Sequence, residues 1–119
     1  MTYADRTICA PLGSSVHISC THNRYEEITS KFWFSPQRRD RGINRERPED
    51  LSEDSQYTGR VQVSDDKRGG YTLKITDLRK SDSAEYRFKF RTKKTIWGND
   101  LYGTTLTITG KINKPSTIK

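Results

Sequence analysis

Little in this sequence invites catalysis. Among 119 residues there are two histidines, His17 and His22, and two cysteines, Cys9 and Cys20. Along Val16-His17-Ile18-Ser19-Cys20 the apolar residues alternate, so His17 takes the outward side and Cys20 the inward side. Cys20-x-His22 is too small a set for a metal site, and neither histidine has a nucleophile at motif-like spacing. An enzyme, a bound metal or a cofactor is therefore not expected. No apolar run approaches the ~20 residues that a membrane helix needs, so any membrane attachment would come from the rest of a parent chain. The sequence has no Asn-x-Ser/Thr triplet, hence no N-glycan is expected on it. Internal repeats and long apolar stripes of helical period are lacking too.

Apolar residues are sparse, at 30 %, but they cluster and alternate, which argues against disorder. Charge is abundant: 22 basic against 15 acidic residues give a net +7 and an isoelectric point near 9.6. Such a surface favours anionic partners such as acidic glycans, other polyanions or anionic lipid. Nucleic acid fits the charge as well, but no nucleic-acid-binding motif accompanies it, so no specific nucleic-acid partner is expected.

The period-two runs are Ser30 to Phe34, Arg60 to Ser64, Tyr71 to Thr76 and Thr104 to Thr109. They are rich in Thr, Val, Ile and aromatics and are separated by turn-like segments. This pattern predicts an all-β sandwich or barrel. The sharpest run follows Asp82-Ser83-Ala84-Glu85. Tyr86, Phe88 and Phe90 fall on one side, with Arg87, Lys89 and Arg91 on the other. Trp33 shares the inward parity of its strand, so Phe32 and Phe34 point outward, onto the face that carries the cations. The long polar stretch from Ser35 to Gly59 is expected to hold one or two edge strands and mobile loop, and it either covers the two phenylalanines or leaves them exposed. Asp65 to Gly70 reads as a tight hairpin turn with Gly69 and Gly70 at positive φ. Residues 1–110 are expected to form one domain and residues 111–119 a linker or tail, the whole being cut from a longer chain.

In order and spacing, Cys20, Trp33, Gly59-Arg60-Val61, Leu73 to Leu78, Asp82-Ser83-Ala84-Glu85-Tyr86 and Gly103 to Leu106 resemble the V-set immunoglobulin pattern. The resemblance spans nearly the whole chain. It implies a V-type immunoglobulin β-sandwich of Greek-key topology, two antiparallel sheets with strands near 3–10, 15–21, 30–35, 59–64, 70–76, 84–92 and 102–109. It also implies that Trp33 fills the space between the sheets, that Tyr86 bonds back across a corner, and that Arg60 pairs with Asp82.

Most V-set domains carry a second cysteine two residues after the corner tyrosine, where this chain has Phe88. The chain most resembles the membrane-distal domain of sialic-acid-binding immunoglobulin-like lectins and their expanded fish relatives. These bridge within one sheet instead, and the equivalent position here is Tyr71. Folding the first turn at Leu12-Gly13 sets Cys20 opposite about Asp5, so a Cys9–Cys20 bond has poor geometry. Two free thiols are expected, with Phe88 and Tyr71 filling the volume around Cys20. Cys9 remains a candidate for a bond to another domain or chain.

In those lectins an arginine on the penultimate strand grips the sialic acid carboxylate. The matching position is Lys89, which offers a point charge rather than a planar fork; Arg91 or Arg87 could substitute. Tyr3 and either Trp97 or Tyr102 become candidates for stacking on the sugar, though Trp97 also reads as a loop anchor. The resemblance thus implies an extracellular, cell-surface immune receptor, a type I membrane protein whose domain acts as a lectin for a sialylated or otherwise anionic ligand. The alternative is adhesion to another immunoglobulin-like or cell-surface protein, including a second copy as a homodimer, through Phe32 and Phe34. The alternative for the stripe itself is a solvated sheet face.

Overall fold

A strand with one apolar side needs a second sheet to cover it. The computed structural model meets that need with two sheets, and it describes residues 2–22, 27–36, 50–66, 69–93 and 102–110. In chain order the described strands are β1 (Thr2–Tyr3), β2 (Thr7–Pro11), β3 (Val16–Thr21), β4 (Ile28–Phe34), β5 (Val61–Asp65), β6 (Gly70–Ile75), β7 (Ala84–Thr92) and β8 (Thr104–Thr109). One sheet runs β1-β3-β6-β5 and the other β2-β8-β7-β4. β2 lies parallel to β8. The other pairings are antiparallel. The architecture is a V-type immunoglobulin β-sandwich. The tail at 111–119, the Trp97 loop and residues 37–49 of the arginine-rich stretch lie outside the described residues.

The first expected strand, 3–10, is two strands in two sheets. Thr2 and Tyr3 pair with Thr21 and Cys20, and the Ala4 amide donates to the Ser19 carbonyl. The chain then crosses over, and the Thr105 amide donates to the Arg6 carbonyl. Cys20 therefore faces Tyr3, not Asp5. Cys9 stands on β2 beside Thr107 in the opposite sheet. Neither cysteine is in a disulfide; Cys9 is exposed and Cys20 buried.

The inward residues Val16, Ile18, Cys20, Trp33, Leu73, Ile75, Tyr86, Phe88, Leu106 and Ile108 build one core. Its centre occupies the place of the missing bridge. Cys20 lies directly opposite Tyr71 on β6. The Tyr71 ring stacks on Phe88, with centroids 4.6 Å apart and planes at 19°. Trp33 meets the Phe88 ring edge-on at 5.3 Å. Burial pushes the Tyr71 phenol above its usual pKa, and the nearby Asp65, Cys20 and Asp66 push it further.

The base of the sandwich is held by polar groups. Asp82 is 1 % exposed and Arg60 7 %. Arg60 forks onto the Asp82 carboxylate at 2.7 and 3.0 Å. Its guanidinium also donates to the carbonyls of Gln56, Thr76 and Asp77. The Asp82 hydrogen bond holds the Arg60 pKa above its usual value, although burial opposes this. The Tyr86 hydroxyl bonds back to the Asp82 carbonyl at 2.6 Å, which fixes the entry into β7. At the β5–β6 hairpin Gly69 takes φ +87°. Gly70 does not take positive φ. Its hydrogen side chain instead leaves room for Asp66, since a Cβ there would lie 2.6 Å from Oδ2, and the Asp66 carboxylate accepts the Gly70 amide.

Candidate functional site

β7 builds both the core and the face. Pairing Trp33 with Phe88 sets the register against β4. That register places Arg87 beside Phe34, Lys89 beside Phe32 and Arg91 beside Ser30. All six of these side chains share one sheet face, because inward and outward positions alternate.

The three cations are not equivalent. The Arg87 fork closes on Glu85, with Nε and a terminal nitrogen each 3.0 Å from a carboxylate oxygen. Glu85 also accepts the Gly103 amide at 2.7 Å. Burial pushes the Glu85 carboxyl up, but the Arg87 hydrogen bonds, the Gly103 amide and the charges of Arg87 and Arg6 outweigh it. The carboxyl therefore titrates below its ordinary range. Close approach of β8 requires glycine at 103, because a Cβ there would strike the Tyr86 carbonyl and crowd the Arg87 side chain.

Lys89 is held differently. Its ammonium sits 5.7 Å from the Phe32 ring centroid and 5.6 Å from that of Phe34. The two rings meet edge-on at 6.3 Å. Each such cation–π contact is worth about 0.5–1 kcal/mol at an exposed site. Phe34 is only 4 % exposed and Phe32 half-buried. Both rings lie on the expected face, but Phe34 does not offer an open apolar surface. Arg91 is exposed, with its carbonyl accepting the Thr29 hydroxyl at 3.1 Å.

Of the aromatics expected to flank the cations, Tyr3 turns toward the sandwich, edge-on to Trp33 at 6.4 Å, and its hydroxyl accepts the Phe88 amide at 2.8 Å. Pairing of β7 with β8 ends at Tyr86 and Thr104, and beyond it the tyrosine oxygen takes the Phe88 amide. Tyr3 is half-buried and has a structural role as that acceptor. Tyr102 is 62 % exposed, with the Arg6 guanidinium 5.2 Å from its ring centroid. Trp97 lies outside the described residues.

Sequence reasoning missed Arg6, because it falls where one continuous strand was expected. It also missed the neutralisation of Arg87. Glu85 and Arg87 are two apart on a strand and so share a face, a signal that was available. Among the described residues no group of three His, Cys, Asp or Glu side chains could hold a metal ion, and no helix is long and apolar enough to cross a membrane.

The class is defined by two sheets packed over Trp33, the Tyr86 corner and the Arg60–Asp82 pair. The family model of the immunoglobulin V-set domain matches residues 3–109, and the chain belongs to that family. No curated protein matches the chain. V-set domains are recognition and adhesion modules that commonly contact proteins or glycans; they are typically extracellular and generally not enzymes.

Proposed function

We propose that this domain is the recognition module of a cell-surface immune receptor and binds a sialylated or otherwise anionic ligand on the outer face of β7. The observation that carries this reading is the placement of the Lys89 ammonium over Phe32 and Phe34, next to Arg91. A carboxylate approaching there meets a cation already held in position, with aromatic surface beneath it. Arg87 serves as a positioning residue, because its fork is occupied by Glu85. Tyr102, with Arg6 above its ring, is a further exposed aromatic for the ligand. Adhesion through Phe32 and Phe34 is the weaker reading, since Phe34 is almost wholly buried.

The test is an amide-shift titration of isotope-labelled domain with a sialylated trisaccharide, using the desialylated sugar as control. Saturable shifts centred on Lys89 and Arg91 with the sialylated sugar alone are expected. Binding should be lost in Lys89→Ala and weakened by salt. Equal shifts with both sugars, or none at millimolar concentration, refute sialoside recognition.

A further inference from the structure

A concavity opens at the border of the β7 face and shares Phe32 with it. Between the edge of β4 and strands β5 and β6 the sandwich opens into a cleft of about 220 Å³. Its aromatic lining is Phe32, Trp33, Tyr71 and Phe88. Trp33 and Phe88 are 2 % and 1 % exposed, so the ring surface open to a ligand is that of Phe32 and Tyr71, both half-buried. Tyr71 stacks on Phe88, which ties it to the core.

The rim is polar and opposite in sign to the protein. Among the described residues Asp50 and Asp65 line it, with the ammonium of Lys31, on a chain of net +7. Asp50 is fixed, its Oδ1 accepting the Ser52 amide at 2.9 Å and the Ser52 hydroxyl at 2.8 Å. Asp65 reaches across from the other sheet to Lys31 at 3.7 Å, and the two side chains are about half exposed, at 51 % and 43 %. So long and wet an ion pair contributes little and opens readily. Size sets the ligand. An apolar cavity of about 150 Å³ holds a benzene ring, so this cleft admits a ring with a short substituent.

The geometry points to a binding site for a small arylalkyl ammonium, its ring between Tyr71 and Phe32 and its cation at Asp65 in place of Lys31. The inference does not rest on the anion reading; the two sites share Phe32 but report on different amides.

The experiment titrates isotope-labelled domain with tryptamine and, separately, with indole-3-acetate, which keeps the ring and reverses the charge. Tryptamine should shift the amides of Val63, Ser64, Asp65 and Tyr71 saturably, with a Kd on the order of millimolar for a ligand this small. Asp65→Asn should weaken it by up to about fivefold, the scale of a solvent-exposed ion pair. Lys31→Gln should tighten it by removing the competing ammonium. Both positions are exposed, and dispersed amide spectra confirm that the variants fold. The proposal is overturned by indole-3-acetate binding as well as tryptamine, by loss of binding in Lys31→Gln, by indifference to Asp65→Asn, or by the absence of saturable shifts at these four amides.

Discussion

Replacing Tyr71 by cysteine tests whether an aromatic stack has taken over from a bridge. Residue 71 is the direct cross-strand neighbour of Cys20. Opposed residues in an antiparallel ladder have Cα atoms about 4.5–5.5 Å apart, within the range a disulfide accepts. In the reduced protein, Tyr71→Cys removes the 4.6 Å stack on Phe88. Truncating a fully buried ring costs about 3–5 kcal/mol. Tyr71 is half-buried, so roughly 2 kcal/mol is expected. Oxidation closes a loop of ~50 residues, for which chain entropy predicts about 4 kcal/mol. The oxidised variant should then exceed the parent by ~2 kcal/mol, with the reduced variant ~2 kcal/mol below it. For a domain of this size each kcal/mol moves Tm by about 3–5 °C. The assay is thermal and urea unfolding with and without reductant, with thiol titration reporting oxidation. One reactive thiol, the exposed Cys9, should remain after the bridge forms. A reduced variant as stable as the parent would show that the stack carries no weight. An oxidised variant no more stable than the reduced one would show that the two positions are strained apart.

Arg60→Met should cost about 3–5 kcal/mol in urea unfolding, because it strands a buried carboxylate; a loss below ~1 kcal/mol contradicts the role given to the pair. For Glu85 the sign follows from its depressed pKa. Its stabilisation is complete above the unfolded carboxyl pKa of about 4.3 and is lost as pH falls through the lower folded value. Glu85→Gln should therefore flatten the acid limb of a stability–pH curve, and an unchanged acid limb would refute the assignment. Tyr3→Phe removes the acceptor of the Phe88 amide and should cost about 1–3 kcal/mol, with faster exchange of that amide as the local readout.

The sandwich was legible because its signals are local. Tyr86, Phe88 and Phe90 alternate without a break, and Cys20, Trp33 and the Asp82–Tyr86 corner fall in the order that two packed sheets require. The crossover of the first strand was not legible. Nothing in Tyr3 to Ala10 distinguishes a strand that stays in one sheet from one that changes sheets, and the choice depends on where β8 stops pairing with β7. The inward contacts of Tyr3 were not foreseen for that reason, and Arg6 was overlooked with them. The cations were legible as a stripe. Their separate environments depend on Phe32 and Phe34 of β4 and on Glu85 of β7 itself, of which only Glu85 could be read from spacing. The cleft depends on the separation of two sheets at one edge, a quantity that no sequence periodicity encodes.

Under the proposed function lysine at position 89 looks unfavourable, since the fork of an arginine would match a carboxylate better. Lysine gives up the second hydrogen bond. Its four-carbon stem also normally forfeits up to about 2 kcal/mol of rotamer freedom when it is immobilised. Here part of that ordering is already present in the unliganded domain, because the ammonium rests over two rings fixed in β4. A ligand carboxylate would meet a cation with fewer conformations left to lose. The register that aims Lys89 is set by Trp33 against Phe88. Phe88 is the residue that stands where most V-set domains have cysteine. The aromatic that replaces the bridge in the core thereby also fixes where the charge sits on the surface. Under the proposed function, Phe32→Ala should weaken anion binding without touching the charge itself.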